Sequence, residues 1–338
     1  MVEHWSPKPG VVGSSPASPA TYRDLKESLF YAIIITLMNY EDLEKIRSEY
    51  KKKVDQAKSK CFTIWLVVIS AALFIAIMSR NGLAVFFAFS LQATIMIGIG
   101  GFLYTTFHTR NDSANYRKAY KAYFVSDALS KTFSEYNFNS EKGIDKFEIQ
   151  KIGMMNTGDR FMSNDLVTGK YKGNSFKQSD VHIENESTDS DGNTTYTTIF
   201  KGRWIIFDFK KDLHKKLAVV GKGFNGAMAS KRNGFKEIKL ESADFHQHFN
   251  VYTQDGFEAY YVLDPAFMER TMALAEKHQD NVFLAFTDGQ LHIGVHDGKD
   301  SFEPPSYKNP IDEAKEKSIT HEEIKVITDI VDNLKLKA

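Results

Sequence analysis

Residues 61–79 read CFTIWLVVISAALFIAIMS, a stretch of 19 residues without a charged side chain. As an α-helix rising 1.5 Å per residue, this stretch spans roughly the 30 Å hydrocarbon thickness of a bilayer. A second uncharged stretch, residues 83–107, follows after a short turn at residues 80–82. Neither stretch has the polar face of a helix that packs on a soluble core. The sequence therefore predicts a two-helix transmembrane hairpin.

Basic residues flank both predicted spans, whereas the turn between them carries only Arg80. Because cytoplasmic flanks of membrane helices are enriched in Lys and Arg, we expect both termini on the cytoplasmic side of the lipid bilayer. The flanking basic residues are Lys45, Arg47, Lys51, Lys52, Lys53, Lys58 and Lys60 before the first span and Arg110, Arg117, Lys118 and Lys121 after the second.

The 338-residue chain carries 43 basic and 43 acidic side chains, so its formal net charge is zero. A nucleic-acid-binding surface needs an excess of Lys and Arg, so nucleic acid is not expected as a partner. The single cysteine, Cys61, excludes an internal disulfide and a cysteine-based zinc site.

The segment before the basic region, residues 1–37, has two interpretations. Its first part, residues 1–20, is rich in Pro, Ser and Gly and lacks apolar periodicity, as in a disordered tail. Alternatively, with plausible codons, residues 4–9 (HWSPKP) back-translate to a sequence resembling the anticodon arm of a bacterial tRNA, and residues 13–16 (GSSP) to one resembling its T-arm. On that interpretation the segment is a spurious extension and Met38 is the true start.

The rest of the chain is predicted to be an α+β protein. Residues 38–60 have apolar positions at helical spacing and form a basic cytoplasmic helix. A juxtamembrane helix over residues 108–138 follows the hairpin. A soluble cytoplasmic α+β domain with an antiparallel sheet and flanking helices then covers residues 139–310, and a C-terminal helix closes the chain at residues 311–338. A fragment starting near residue 140 is expected to fold alone, because roughly 200 residues suffice for a core.

Three dipeptides mark turns of the kind that join antiparallel strands: Asp191-Gly192, Asp255-Gly256 and Asp288-Gly289. Apolar segments flank the second and third, which predicts a hairpin at each of them.

Two helices are expected within the second half of the chain. Asp264 is suited to an N-cap and Pro265 to the first helical turn, which predicts a helix that continues to His278. An amphipathic pattern over residues 318–334 predicts the last helix, with Thr320 as its cap.

Four segments carry a resemblance to a known family. They are residues 162–170 (MSNDLVTGK), 200–209 (FKGRWIIFDF), 249–255 (FNVYTQD) and 259–269 (AYYVLDPAFME). Together they make the chain resemble the DUF3137 family over roughly residues 40–305.

The resemblance implies an architecture rather than a reaction. DUF3137 proteins are bacterial membrane proteins with a basic helix, a two-span hairpin and a C-terminal domain, and the family is named for its unknown function. The resemblance implies a bacterial inner-membrane location, and it suggests a LemA-like membrane protein as a partner.

Residues 221–226, GKGFNG, match the G-x-G-x-x-G pattern and follow an apolar run. The pattern binds a pyrophosphate where it opens a helix in a βαβ unit. No such unit surrounds it, so a glycine loop is the preferred interpretation and no cofactor is predicted.

Four histidines are the candidate metal ligands: His246, His248, His292 and His296. Each pair would share one face of a strand, and two adjacent hairpins would bring the four imidazoles together. The alternative is that they are ordinary strand histidines without a ligand.

These features predict a non-enzymatic, membrane-anchored protein whose cytoplasmic domain binds a partner protein or the membrane surface. The alternative is a membrane-bound enzyme with a site on the histidine-bearing hairpins. The aromatic residues Phe200, Trp204, Phe207 and Phe209 are expected in strands and core, with a peptide-binding groove as the other possibility.

Overall fold

The computed structural model describes residues 38–78, 82–209, 215–224 and 234–336. The predictions for residues 1–37 and for Arg80 concern residues outside these ranges, as do the last two residues of the glycine motif, Asn225 and Gly226.

Two long helices open the described chain. Helix α1 (Tyr40–Met78) runs without a break from the basic segment into the apolar one, and α2 (Gly82–His108) covers the second apolar stretch. Both are long and apolar enough to cross a membrane. In their most apolar windows only 11% of the α1 residues and 0% of the α2 residues are buried. The helical hairpin is confirmed, and its apolar surface is not covered by the described domain.

The chain after the hairpin continues as α3 (Arg110–Tyr120), a π-helical turn (Lys121–Val125) and α4 (Ser126–Thr132). The helix predicted to reach residue 138 therefore ends earlier. Residues Glu135–Asn139 instead form a strand that pairs with a later strand, so tertiary pairing overrides the helical pattern.

Nine strands in the described residues form one sheet in which all neighbours are antiparallel. They are β1 (Glu135–Asn139), β2 (Arg160–Tyr171), β3 (Asn174–Thr188), β4 (Thr194–Asp208), β5 (Leu217–Gly221), β6 (Lys236–Ile238), β7 (Phe249–Thr253), β8 (Val282–Thr287) and β9 (Gln290–Val295). Their spatial order is β1-β2-β3-β4-β9-β8-β5-β7-β6. This confirms the predicted mixture of helices with an antiparallel sheet.

Helices flank the sheet as predicted. They are α5 (Lys146–Gln150), α6 (Phe245–His248), α7 (Gly256–Val262), α8 (Pro265–Lys277) and α9 (Glu313–Leu334).

The central strands are buried on both faces. In β4, Ile205 and Phe207 point into one core, which contains α4, α7, α8 and α9, while Trp204 and Ile206 point into a second. Such strands appear in the sequence as continuous apolar runs rather than as alternating patterns. Phe200, Trp204 and Phe207 are fully buried, which confirms their predicted place in the core and contradicts a peptide groove lined by them.

Two of the three predicted turns join strands. Asp288-Gly289 links β8 to β9 with both residues at positive φ, and Asp191-Gly192 lies in the loop between β3 and β4. The hairpin predicted at Asp255-Gly256 is wrong. The Asp255 side chain accepts a hydrogen bond from the Phe257 amide and caps α7, so the dipeptide starts a helix.

One of the two predicted helix caps, Asp264, is present, and the other, Thr320, is not. Asp264 accepts a bond of 2.8 Å from the Phe267 amide at the start of α8, as expected. Thr320 is not a cap, because α9 starts at Glu313 behind the N-cap Asp312 and Thr320 is buried inside the helix.

The first core includes residues before position 140, so the independently folding fragment is expected to start earlier than the sequence alone suggests. Val125, Leu129 and Phe133 are buried in that core, and β1 covers one edge of the sheet. We expect a fragment of residues 140–338 to aggregate, because it exposes the partners of these side chains, whereas a fragment of residues 109–338 should be soluble and unfold cooperatively. Circular dichroism melts of the two fragments test this, and a stable shorter fragment would contradict it.

Candidate functional site

The loop of residues 296–312 joins β9 to α9 and contacts the hairpin; we call it the junction loop. At its C-terminal end, the Tyr40 hydroxyl donates to the carbonyl oxygen of Ile311 at 2.6 Å. The Ile311 amide in turn donates to a carboxylate oxygen of Glu44 at 2.5 Å. Arg47 donates to the Tyr307 carbonyl oxygen at 2.7 Å. The first two turns of α1 are therefore fastened to the sheet domain.

Aromatic contacts reinforce this attachment. The ring centroid of Tyr50 lies 4.6 Å from that of Tyr307 and 6.1 Å from that of Tyr116. The Tyr116 hydroxyl donates to the Pro305 carbonyl oxygen at 3.2 Å. We call α1 residues 40–60 together with α3 the stem, because both helices contact the junction loop.

A buried ion network lies behind the junction loop. Lys121, the first residue of the π-helical turn, donates to Asp165 at 2.7 Å and lies 3.1 Å from Glu303. Its side chain is 7% exposed and that of Asp165 is 0% exposed. Burial by itself would lower the pKa of Lys121, but the charges and hydrogen bonds of Asp165 and Glu303 outweigh it and the pKa is raised. Lys121 therefore carries its charge inside the protein.

Asp165 occupies an irregular position in β2. The pairing of β2 with β3 shifts register between Asn164 and Val167, and Asp165 has a φ of 57° in the left-handed region. Its Oδ2 accepts from Lys121 and, at 2.8 Å, from the Asn164 amide group, whereas its Oδ1 is buried without a partner among the described residues. Burial raises the pKa of Asp165 to about 7 against the opposing effect of Lys121.

A second buried group holds the N-terminal part of the junction loop. Asp180 in β3 accepts from the Ser301 amide at 2.6 Å and from its hydroxyl at 2.9 Å. Arg203 in β4 donates to the same hydroxyl at 2.8 Å and to the main-chain carbonyl of Glu323 in α9. Burial raises the pKa of Asp180 to about 8, although Arg203 opposes the shift. The loop is thus fixed to β3, β4 and α9 together.

Among the residues that the structure describes, three acidic side chains of this region lie close enough together to hold a metal ion. One ligand atom each from Asp165, Asp300 and Glu303 lie within 4.8 Å of one another. The Lys121 ammonium already lies within 3.1 Å of two of these carboxylates. The ammonium thus supplies the positive charge that the acidic group requires.

The histidines predicted as metal ligands lie elsewhere. The prediction that His246 and His248 share a strand face is wrong, because α6 places them about 200° apart on a helical turn. His246 accepts from the Leu240 amide at 2.7 Å, and His248 pairs with Asp280 at 2.8 Å. Each therefore has its own structural partner.

His292 and His296 face the second core. Trp204 donates to His292 Nδ1 at 3.3 Å, and burial lowers the pKa of His292 to about 4. His296 accepts from the Lys201 amide at 2.9 Å, and burial lowers its pKa too. None of the four histidines belongs to the acidic group.

The two glycines of the motif that the structure describes have a structural explanation. Gly221 ends β5, and a Cβ added there would lie 2.0 Å from the Asp280 carbonyl oxygen. At Gly223 a Cβ would lie 2.5 Å from the Gln279 carbonyl oxygen. Both glycines thus allow two backbones to pass closely, and no helix begins within residues 221–224.

The residues of the ion network were not identified from the sequence. In the sequence, Lys121 is one of the basic residues after the second span, and Asp165 lies within a segment that resembles DUF3137. The sequence does not show whether a charged side chain is buried or exposed. Only the contact between Lys121 and Asp165, which are 44 positions apart, distinguishes them from surface residues.

The described chain is therefore an α+β antiparallel-sheet protein carrying a long apolar helical hairpin. Residues 198–336 match the family described as "Protein of unknown function (DUF3137)". Over that segment the chain is similar to DUF3137, and the resemblance is confirmed there.

The chain is similar to the crystal structure of the mycobacterial trehalose monomycolate transport factor A, TtfA, with 12% sequence identity and a TM-score of 0.34, over 66% of this chain and 94% of that chain. No curated protein matches the sequence.

Replacing the positively charged residue of the ion network by an uncharged one should strongly lower the free energy of unfolding. Lys121→Met should lower the free energy of unfolding by about 3–5 kcal/mol, because it leaves Asp165 buried without its charge partner. The extra loss should grow as pH rises above about 7. In the wild type Asp165 is already ionised there, whereas without Lys121 its pKa is higher and the variant continues to lose stability as pH rises towards that pKa. Urea unfolding of the full chain in detergent, followed by tryptophan fluorescence, measures both.

Lys131→Met is the matched control. Lys131 pairs with Asp127 at 2.7 Å on the neighbouring helix, but its side chain is 64% exposed. Its removal should cost less than about 1 kcal/mol both below and above about pH 7. Equal losses in the two variants would contradict a structural role for the buried pair.

Proposed function

We propose that this protein is a membrane-anchored binding protein without catalytic activity, held at the cytoplasmic face of a bacterial inner membrane by its helical hairpin. The observation that carries the proposal is the continuity of α1. One helix includes both the exposed apolar segment and the basic segment that is fastened to the sheet domain. An anchor built in this way holds the domain at a fixed place beside the bilayer.

Charge supports the orientation. The segments that adjoin the apolar stretches on the domain side are basic, and moving each such charge outward against a negative-inside potential costs about 2.3 kcal/mol per 100 mV. Insertion of the hairpin from the cytoplasm moves only Arg80 across.

Helix α7 supports the binding role. Phe257, Tyr260 and Tyr261 lie on adjacent turns and are all exposed, Phe257 at 80%. We call these three residues the aromatic patch. Exposed aromatic side chains are enriched where proteins bind other proteins, so the patch supports a partner protein as the ligand, of which a LemA-like membrane protein is one candidate.

Cysteine labelling tests the topology. In a Cys61→Ser background, Asn81→Cys should react with a membrane-impermeant maleimide in intact cells, because the turn lies outside the cytoplasm. Lys299→Cys, in the exposed part of the junction loop, should react only after lysis. Labelling of Lys299→Cys in intact cells would overturn the proposed orientation.

Photo-crosslinking tests the binding role. A photoreactive phenylalanine analogue at position 257 should form an adduct with a partner protein in cells, because the ring is exposed within the aromatic patch. The same analogue at Glu269, an exposed position on α8, is the control. A lipid adduct at position 257 would indicate membrane-surface binding instead, and equal protein adducts at both positions would contradict a specific interface.

A further inference from the structure

A groove runs along the seam between α1 and the continuous pair α2–α3. Its volume is about 820 Å³, within the range of small-molecule sites. On α1 it is lined at helical spacing by Tyr50, Val54, Lys58, Cys61 and Trp65. It extends from the charged part of the helices, beside the junction loop, into their apolar part.

The end of the groove beside the junction loop is cationic. Lys58 and Arg110 line it, both are exposed, and neither has a hydrogen bond or ion pair with another described residue. Arg117 also lines it, but lies 3.4 Å from Glu303. No acidic residue lines the groove among the described residues. Two uncompensated positive charges therefore face the same opening.

The other end is apolar and open. Trp65 bridges the two helices, donating to the Thr94 hydroxyl at 3.0 Å, and its ring stacks on Phe62 at 5.8 Å. A Cβ added at Gly98 would meet nothing within 4 Å, so the glycine leaves free space on this side of α2. From Arg110 to Gly98 the groove extends roughly 18 Å at 1.5 Å per residue.

The geometry points to an anionic phospholipid as the occupant of this groove, with its phosphate between Lys58 and Arg110 and an acyl chain beside Trp65 and Gly98. The charges match an anionic headgroup, and the apolar end continues directly into the exposed surface of the spans. This assignment rests on the proposed membrane insertion and names a ligand for it. A bound lipid would fill the seam at the level where stem and spans meet.

Titration of the purified, delipidated full chain in nonionic detergent tests the headgroup contact. Native mass spectrometry should show phosphatidylglycerol binding at least about 25-fold more tightly than phosphatidylcholine. Each of the two cations is expected to contribute about fivefold to this preference. Lys58→Gln with Arg110→Gln should remove that preference. Inorganic phosphate should not compete, because it lacks the acyl chain; competition at equal concentration would overturn the proposal.

A charge-matched control separates the groove from general surface charge. Lys52→Gln with Lys60→Gln removes two exposed charges from α1, and neither residue lines the groove. This pair should keep phosphatidylglycerol binding within about twofold of wild type, because neither lysine contacts the headgroup in the groove and only a contacting cation contributes the roughly fivefold effect. An equal loss in both double variants would overturn the proposal.

A pair of glycine substitutions tests the acyl-chain contact. Gly98→Phe fills the open space in the groove and should abolish lipid retention. Gly100→Phe places the same ring on the same helix, where a Cβ also meets nothing within 4 Å, but outside the groove, and should retain the lipid. Retention in both variants would overturn the proposal.

Alkaline carbonate extraction distinguishes failure of the proposed membrane anchor from failure of the proposed lipid site. Release of the chain from membranes by carbonate would refute the proposed anchor itself. A chain that resists extraction but shows no phosphatidylglycerol preference would overturn the lipid site alone.

Discussion

Lys121 reaches Asp165 and Glu303 from the π-helical turn that follows the hairpin. A π-helical turn shifts the register of a helix by about one residue and is frequent at functional positions. Here it directs a buried ammonium at the bulge of β2, where Asp165 adopts a left-handed conformation. Each of these irregularities costs free energy. Loss of either partner of the ion pair would leave the other charge buried without its partner, which is more costly still.

The consequence of this pair is a fixed junction loop. Glu303 contacts Lys121 on one side, Ser301 is held by Asp180 and Arg203 on the other, and Tyr307 and Ile311 fasten the stem. A loop without regular structure thereby becomes the rigid connection between the hairpin and the sheet. On the proposed function, that connection sets the position of the aromatic patch relative to the bilayer.

Much of the fold was predictable from local signals. The uncharged run over residues 61–79 predicted a long helix, Asp288-Gly289 predicted a hairpin, and Asp264 predicted a helix start. Each signal acts within a few residues of the chain. Where the prediction was wrong, at residues 135–139 and at Asp255-Gly256, pairing with a distant strand or capping of a short helix decided the outcome.

The candidate site was less predictable, for a physical reason. Its bonds connect residues separated by 44, 121 and 98 positions, and each partner is a common charged or polar residue. For the four histidines the sequence pattern was clear but the predicted site does not form. They form a pattern in the sequence, but the fold gives each a separate partner in a loop or the core.

The central claim is that stem and sheet domain form one rigid unit through the junction loop. Pulsed electron resonance between spin labels at Lys52→Cys in α1 and Lys236→Cys in β6, in a Cys61→Ser background, tests it most directly, since both positions are exposed. The claim predicts one narrow distance distribution in wild-type context and a broader one when Lys121→Met is added. A broad or multiple distribution without that substitution would contradict it.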